Sequence, residues 1–245
     1  MVSKIEWTEE TWNPITGCTK ISSGCKHCYA EVMARRLQAM GMKGYEDGFK
    51  LTLQPQRLLE PLHNKKPTMY FVNSMSDLFH EKVPFNFIDS VFDTIQKAHW
   101  HKFQVLTKRA NIMAEYFKKR KVPENVWLGV TVENRKEGLP RIDFLKSIQN
   151  VSIKFLSIEP LLEDLGQVNF SGIDWIIVGG ESGLQARPMK KEWAINIRNQ
   201  CEEQDIAFYF KQWGTWGEDM KKRSKKENGH LLDNETYREM PKRVV

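Results

Sequence analysis

The sequence lacks long apolar runs and has no apolar N-terminal segment. No run of 18 consecutive apolar residues occurs in the 245-residue chain, so we expect no transmembrane helix. Residues 1–13 carry charges where a secretion signal would have its apolar centre, so we predict no signal peptide and a cytoplasmic protein. The glycine pair at 179–180 is followed by no Lys-Ser or Lys-Thr, which argues against a nucleoside triphosphate loop.

Cysteine is also scarce, and its few copies are unevenly placed. Three of the four cysteines lie within residues 17–31, as Cys18, Cys25 and Cys28, with the spacing Cys-x6-Cys-x2-Cys. Three clustered cysteines and a remote one make a poor disulfide framework, and such a cluster is more typical of metal binding. Cys201 lies on the apolar face of a predicted late helix, so we interpret it as a core thiol.

The spacing of the three thiolates does not by itself identify the metal. Soft thiolates bind zinc, copper(I) or an iron–sulfur cluster. A structural zinc site needs a fourth ligand, for which His27 or His80 is available. A cubane cluster on three cysteines leaves one iron open to a ligand from outside the protein. The first interpretation gives a scaffold and the second a reaction centre.

Basic residues outnumber acidic ones. The formal charge is +6 and the isoelectric point is about 9.0, which permits a polyanionic partner such as nucleic acid without requiring one. We find no low-complexity linker, and we predict one domain over residues 1–217 followed by a basic polar tail over residues 218–245. The basic run of that tail consists of Lys221, Lys222, Arg223, Lys225 and Lys226.

Short apolar runs, rich in β-branched and aromatic residues, recur along the chain. Their starts lie 21 to 34 residues apart, roughly the length of a strand–helix unit. Near-continuous apolar strands are typical of a parallel sheet that is buried on both faces. Amphipathic segments between the runs predict helices, so the pattern predicts an α/β fold, with a further short strand near residues 10–13. The runs are 69–73, 103–107, 126–132, 154–158, 175–179 and 207–211.

The residues that follow these runs are unusually polar for a purely structural sheet. In parallel α/β sheets, functional groups gather at the C-terminal ends of the strands. Here those ends carry hydroxyls, carboxylates and cations, and the cysteine loop follows the first short strand. We therefore expect these side chains to converge beside the cysteines and form an active site. They lie in residues 73–77, 107–109, 131–134, 157–160, 179–183 and 211–213.

Together these motifs resemble the radical S-adenosylmethionine superfamily, in which a three-cysteine loop follows the first strand of a partial barrel. The usual spacing there is Cys-x3-Cys-x2-Cys, and the first gap here is six residues. More narrowly, the chain is similar to the phage Gp37/Gp68-like proteins, which resemble the spore photoproduct lyase branch. The segments that carry this resemblance cover nearly the full length: IEWTEETWNPITGC, GCKHCYA, VNSMSDLFH, LTKRA, GVTVEN, LSIEPLL, VGGESG and YFKQWG.

The resemblance implies a partial (β/α)6 TIM-like barrel of parallel strands with a [4Fe–4S] cluster on Cys18, Cys25 and Cys28. It implies S-adenosylmethionine as the ligand of the open iron, a radical that abstracts hydrogen from a substrate, and an electron donor such as flavodoxin or ferredoxin. The lyase-like resemblance and the basic isoelectric point favour a nucleic-acid base as substrate, with DNA base modification and lesion repair both open. The alternatives are a zinc-stabilised, non-catalytic nucleic-acid-binding protein and a cluster used only for redox sensing.

By position, the resemblance also implies cofactor-binding residues, although it assigns no catalytic residue. His27, just before the third cysteine, is expected near the adenine. Arg109, beside Lys108, is expected to hold the cofactor carboxylate or a substrate phosphate. The remaining strand-end candidates for cofactor binding are Asn73, Ser74, Ser76, Lys108, Thr131, Glu133, Ser157, Glu159, Gly179 and Gly180.

Overall fold

The computed structural model describes residues 5–242. Within them, the main sheet has seven parallel strands, and a separate antiparallel ladder joins β2 to β3. The strands are β1 Glu10–Trp12, β2 Ile15–Thr16, β3 Thr52–Leu53, β4 Met69–Val72, β5 Lys102–Thr107, β6 Val126–Thr131, β7 Ile153–Ile158, β8 Trp175–Gly179 and β9 Ala207–Gln212. The helices are α1 Tyr29–Ala39, α2 Glu60–His63, α3 Phe85–Lys97, α4 Ala110–Phe117, α5 Leu139–Ser147, α6 Lys191–Glu203 and α7 Lys225–Asn228, with 3-10 turns at Ser23–Cys25 and Pro55–Arg57.

The main sheet is a curled half-barrel whose strand order follows the chain, β1-β4-β5-β6-β7-β8-β9. Most connections between neighbouring strands contain a helix, whereas residues 159–174 join β7 to β8 without one. Because every pairing in this sheet is parallel, all C-terminal strand ends lie at one edge. No helix in residues 5–242 is long and apolar enough to cross a membrane.

Alternate residues of each strand belong to different apolar clusters. On β7, Leu156 and Ile158 pack into the cluster shared with the helices, while Phe155 belongs to a second cluster on the concave side. Because side chains alternate along a strand, Ser157 continues the concave row of Phe155. Gly129, opposite Phe155, leaves room for that ring, since an added Cβ would lie 2.5 Å from it.

The concave side is filled by aromatic residues near the N-terminal ends of the strands. Burial of each large apolar side chain contributes about 2 kcal/mol, so this cluster closes one end of the half-barrel firmly. The C-terminal half of the same face is polar, because the next paired row contains Thr131 and Ser157. The aromatic members of the cluster are Trp7, Phe71, Trp127, Phe155, Trp175 and Tyr209.

The predicted fold class is confirmed. Each predicted run forms a strand within one or two residues of its expected bounds, and the short strand near residues 10–13 is β1, which makes seven strands in the sheet. Helix α1 is also present, as the helical spacing of five apolar residues predicts, but this apolar stripe does not match the buried face. The five residues are Ala30, Val32, Met33, Leu37 and Met40. Ala30 and Ala34 are buried, whereas Val32, Met33 and Met40 are exposed, because α1 packs against only a small satellite cluster.

Much of the predicted C-terminal tail packs against the barrel. Leu232 is buried, Arg238 forms an antiparallel bridge with Tyr209, and the Trp175 indole N–H donates to the carbonyl of Glu239 at 2.8 Å. The proposed boundary at residue 217 stays a prediction. The last residues of the predicted tail, 243–245, and the first of the predicted domain, 1–4, lie outside the described residues.

Several cations of the basic run are engaged by neighbouring groups. Arg223 pairs with Asp219 at 2.6 Å, and Lys225 pairs with Glu6 at 2.9 Å. The Lys222 ammonium lies 4.9 Å from the centre of the Trp216 ring. These contacts reduce the positive charge that this run offers to a polyanion.

Candidate metal centre

The cysteine loop lies against the C-terminal strand ends of the half-barrel. Cys18 follows β2, Cys25 ends the first 3-10 turn, and Cys28 is the N-cap residue of α1. All three are free thiols of intermediate burial. Gly17, at the start of the loop, forms a parallel bridge with Ser76, which follows β4.

Glu133, directly after the end of β6, anchors the loop. Its carboxylate accepts hydrogen bonds from Ser22 Oγ at 2.8 Å, Lys108 Nζ at 2.5 Å and Arg141 Nη1 at 2.5 Å. The side chain is fully buried, and although burial alone would raise its pKa, Lys108 and Arg141 hold the pKa below its usual value. An added Cβ on Gly24 would lie 2.4 Å from Glu133 Oε1, so glycine permits this close approach.

Glu137 supplies a second anchor to the same loop. Its Oε2 accepts hydrogen bonds from Ser23 N at 2.9 Å and from Ser23 Oγ at 2.7 Å. Asn134 Nδ2 donates to the same oxygen at 2.7 Å. The backbone bond from Ser23, with these side-chain bonds, lowers the pKa of Glu137 to about 2. The carboxylate therefore remains charged and bound to the loop at neutral pH.

Arg109, directly after β5, holds the start of the loop. Its Nη1 donates to Cys18 Sγ at 3.6 Å and to Asp77 Oδ2 at 3.1 Å. Its Nη2 donates to Thr19 O at 3.3 Å and Oγ1 at 2.9 Å, and its Nε donates to Glu81 at 2.6 Å. Since a guanidinium has five N–H donors, this one is saturated by the chain's own groups. Arg109 was predicted to hold a cofactor carboxylate or a substrate phosphate. In the structure its donors instead bind groups of this chain.

The thiol of Cys18 is a weak acid in this environment. Burial raises its pKa to about 11, and the negative charge of Asp77 acts in the same direction. The Arg109 guanidinium opposes both effects. In the absence of a metal, the thiol is therefore protonated at neutral pH, and metal binding must displace its proton.

The donor set fits an iron–sulfur cluster in its chemistry. Three free thiols lie on one short loop, and a buried guanidinium donates to one of their sulfurs, as suits a thiolate-bound centre of negative charge. Across residues 5–242, no group of three His, Cys, Asp or Glu side chains stands close enough to hold a metal ion. A cubane cluster does not need such a group, because each cysteine sulfur binds a different iron atom.

The two histidines named as a fourth zinc ligand differ in availability. His80 is buried; its Nε2 forms a hydrogen bond with Thr19 Oγ1 at 2.9 Å, and its Nδ1 accepts from Lys82 N at 3.1 Å. Both ring nitrogens of His80 are thus occupied. His27 is half-buried beside Cys28, where the part of the chain that the structure describes gives it no hydrogen bond.

The predicted residues after β4 tie that strand to the segment before the cysteine loop. Asn73 has a left-handed φ of 59°, and its Oδ1 accepts from Ile15 N at 3.3 Å. Ser74 Oγ donates to Asn13 Oδ1 at 3.2 Å, and Ser76 Oγ donates to Ile15 O at 2.9 Å. Within residues 5–242, Nδ2 of Asn73 is buried without a partner, which leaves one donor at this strand end for a ligand.

The predicted residues at the end of β7, Ser157 and Glu159, form a second polar group. Within residues 5–242 their side chains have no hydrogen bond to Arg109, Glu133 or Glu137. Glu159 Oε1 pairs with Lys211 Nζ at 2.9 Å, and Ser157 Oγ donates to Glu159 Oε2 at 3.4 Å. Thr131 is paired with Ser157 across the sheet and is buried. An added Cβ on Gly179 would lie 2.6 Å from Glu159 Oε1. This group forms a polar wall of the concave face.

The space beside the glycine pair is taken by the chain itself. An added Cβ on Gly180 would lie 1.9 Å from the carbonyl oxygen of Trp213. The Gln212 side chain donates to Gly180 O at 2.9 Å, while its Oε1 is buried without a partner in the described part of the chain. The glycines thus permit contacts with this chain's own Glu159 and Trp213, and Gln212 offers one free acceptor.

Two open surface cavities lie away from this edge of the sheet. One, of about 690 Å³, lies along α4 and α5. The other, of about 960 Å³, lies beside the start of β9 and Cys201. Neither is lined by a cysteine of the loop or by a predicted cofactor-binding residue. The cysteine loop and the charged residues that hold it are at the strand ends, so the candidate site is there.

The sequence matches the family described as "Protein of unknown function (DUF5131)" over residues 2–241. The chain belongs to this family. A search of curated proteins gives no match.

Among solved structures, the chain is similar to spore photoproduct lyase complexed with dinucleoside spore photoproduct. The TM-score is 0.44 and the sequence identity 12%, with coverage of 84% of this chain and 64% of that chain. A mutant of that enzyme with bound AdoMet and dinucleoside spore photoproduct gives a TM-score of 0.43 with the same identity and coverage. The chain thus spans 64% of the length of these structures.

In this DUF5131 chain, the predicted site residues other than His27 and Gly180 fall into three groups. Lys108 and Glu133 hold the cysteine loop, Asn73, Ser74 and Ser76 hold the segment before it, and the residues around Glu159 line the open concave face. Several residues with direct roles in this arrangement were not predicted from the sequence. Two features could have indicated some of them: the hydroxyls of the Ser-Ser-Gly segment and a glutamate four residues after Glu133. The residues missed are Ser22, Ser23, Glu137 and Arg141.

Proposed function

We propose that this chain is a radical S-adenosylmethionine enzyme, of the phage Gp37/Gp68-like kind, with a [4Fe–4S] cluster on Cys18, Cys25 and Cys28. One observation carries the proposal: three free, half-buried thiols lie on a loop that is tied across the polar C-terminal strand ends of a parallel half-barrel. Aromatic residues fill the other end of the concave face. The fold therefore leaves its polar end, beside the thiols, as the place for a reaction.

With S-adenosylmethionine bound, the cluster would supply one-electron cleavage of a C–S bond and hence a radical for hydrogen abstraction. The chain's own residues position and shield that chemistry. Glu133 and Glu137 fix the middle of the loop, and Arg109 fixes its start while placing a positive charge beside Cys18. The aromatic cluster excludes water from the base of the concave face.

The polar wall suits the amino acid part of S-adenosylmethionine. Glu159 is an acceptor for an ammonium group, and Lys211 is a donor for a carboxylate. Ser157 and Thr131 extend the same wall with hydroxyl groups. We propose that these residues bind the cofactor, with His27 near its adenine and the unpartnered Asn73 amide as a further donor.

A nucleic-acid base is the substrate class that we propose, with a reduced flavodoxin or ferredoxin as electron donor. Residues 18–43, which include the cysteine loop and α1, contain five basic residues and one acidic residue, a net charge of +4 out of +6 for the chain. Positive charge concentrated beside a site favours the approach of a polyanion. DNA base modification and lesion repair are both compatible with this charge.

Anaerobic reconstitution with iron and sulfide tests the proposal. The wild-type protein should be brown, contain about four iron and four sulfide per chain, and form 5′-deoxyadenosine from S-adenosylmethionine under reduction. Replacement of Cys18 with Ala should remove the colour or sharply reduce it, whereas Cys201→Ala is the matched control and should retain both iron and sulfide. A colourless protein with one zinc per chain would contradict the proposal.

A further inference from the structure

We propose that Arg109 is a positioning residue that donates a charged hydrogen bond to the metal-bound sulfur of Cys18 and raises the reduction potential of the cluster. This inference rests on the proposed function. Its geometric basis is the contact between Arg109 Nη1 and Cys18 Sγ, at 3.6 Å. Among the described residues, no other arginine or lysine has a hydrogen bond to a sulfur of the loop.

The guanidinium has little freedom to leave this position. Arg109 is only 4% exposed, and Asp77, Thr19 and Glu81 accept its remaining donors. Asp77 is itself fixed, because Thr107 Oγ1 donates to it at 2.6 Å. Asp77 and Glu81 lie outside the loop, so these two carboxylates hold the guanidinium independently of the conformation of the loop. The N–H that points at Cys18 is therefore preorganised for the sulfur.

The physical effect follows from charge. Reduction adds an electron to a centre bound by thiolates, and a hydrogen bond to a sulfur stabilises the more negative, reduced state. Loss of the guanidinium also leaves the Asp77 carboxylate without this partner, and that carboxylate lies near Cys18, since Arg109 Nη1 donates to both groups. Both consequences disfavour the reduced cluster, so both lower the potential. Arg109 would thus make the cluster easier for its donor protein to reduce.

Redox titration of the reconstituted full chain tests this role. Arg109→Gln should disfavour the reduced cluster at least tenfold, which for one electron corresponds to a potential lower by about 59 mV. Thr19→Val is the matched control, since it removes a loop contact of Arg109 but leaves the donor to Cys18 in place. In Thr19→Val, the equilibrium constant for reduction of the cluster should change less than threefold.

A measurement on the wild-type fold decides the question if Arg109→Gln does not fold. Protein labelled with guanidino-nitrogen-15 arginine should show nitrogen-15 hyperfine coupling to the reduced cluster in pulsed electron paramagnetic resonance. Absence of that coupling would overturn the inference. An unchanged reduction potential in Arg109→Gln would also overturn it. An equal fall in potential in Thr19→Val would overturn it too, because it would show that the effect acts through the loop alone.

The two proposals fail in different ways. A wild-type chain that takes up no iron and sulfide overturns the proposed function and this inference with it. A wild-type chain that forms the cluster, with an Arg109→Gln variant of the same potential, overturns the inference and leaves the proposed function standing.

Discussion

At the scale of single residues, Glu133 forms the buried ionic contacts that hold the cysteine loop. It is fully buried and pairs with two cations, Lys108 and Arg141, as well as with Ser22. Removing one partner of a buried ionic group costs about 3–5 kcal/mol, because the remaining charges lose their compensation. We therefore expect Glu133→Gln to lower the free energy of unfolding of the metal-free protein by about that amount, as measured by urea denaturation.

The control for this prediction is Glu124→Gln. Glu124 is exposed, and such surface substitutions usually change stability by less than about 0.5 kcal/mol. Equal unfolding free energies for Glu133→Gln and Glu124→Gln would contradict the assignment of Glu133 as the anchor of the loop. A loss confined to Glu133→Gln would support it.

The sequence shows which strand-end residues are polar but not what each one contacts. Glu133 and Glu159 occupy equivalent places after adjacent strands, yet one binds the loop and the other pairs with Lys211. That difference depends on which strand the loop crosses, and a single sequence carries no record of it. For the same reason, Arg109 was expected to face a ligand and instead holds Cys18.

At the scale of elements, the attachment of the cysteine loop depends on pH through Glu137. Its pKa is lowered to about 2 by the hydrogen bonds from Ser23 and Asn134, against an ordinary value of 4.5. A carboxyl group with a lowered folded-state pKa contributes stability that is complete above about pH 5 and is lost as the pH falls from about 4.5 toward 2. The loop should therefore loosen over that acidic range.

Urea denaturation of the wild type and Glu137→Gln at several pH values measures this effect. At pH 7 the variant should be less stable by roughly 1 kcal/mol, a modest value because the carboxylate is partly exposed. The difference should narrow progressively below pH 4.5, because the unfolded wild-type chain then binds a proton at this carboxyl, whereas the folded protein, in which its pKa is about 2, does not. A difference that stays constant from pH 7 to pH 3.5 would show that Glu137 does not hold the loop through its charge.

Elements with a strong local pattern were predicted well, and those without one were not. The strands are buried on both faces, so their apolar runs are nearly continuous and their bounds are clear in the sequence. Helix α1 packs against few residues, so apolar spacing gave the helix but not its buried face. Val32 and Met33 were visible as apolar residues, but nothing local indicated that they would be exposed.

At the scale of the whole molecule, different kinds of contact hold the two ends of the half-barrel. Aromatic packing closes the end where the strands begin, and ionic anchors hold the cysteine loop across the end where they finish. Arg109 holds the start of this loop, and Glu133 and Glu137 hold its middle. The aromatic base gives strands β5 and β6, which Arg109 and Glu133 follow, a rigid support.

The C-terminal segment packs against both apolar clusters of the barrel, which makes the proposed boundary at residue 217 testable. Beyond it, Leu232 is buried, Leu231 O accepts from the Trp213 indole at 2.7 Å, and Glu239 O accepts from the Trp175 indole at 2.8 Å. Loss of a buried leucine alone costs about 2–5 kcal/mol. We expect a chain ending at residue 217 to be less stable by more than that amount, or not to fold.

A chain ending at residue 242 is the matched control, because it keeps every contact described for the segment. Thermal and urea unfolding of the two truncated chains, followed by tryptophan fluorescence, should show native-like stability for the longer one only. Trp175 and Trp213 report directly, since each loses a carbonyl acceptor in the shorter chain. Equal unfolding midpoints would mean that residues 218–242 are a dispensable tail, as the basic composition of that stretch suggested, and that the aromatic base is complete without them.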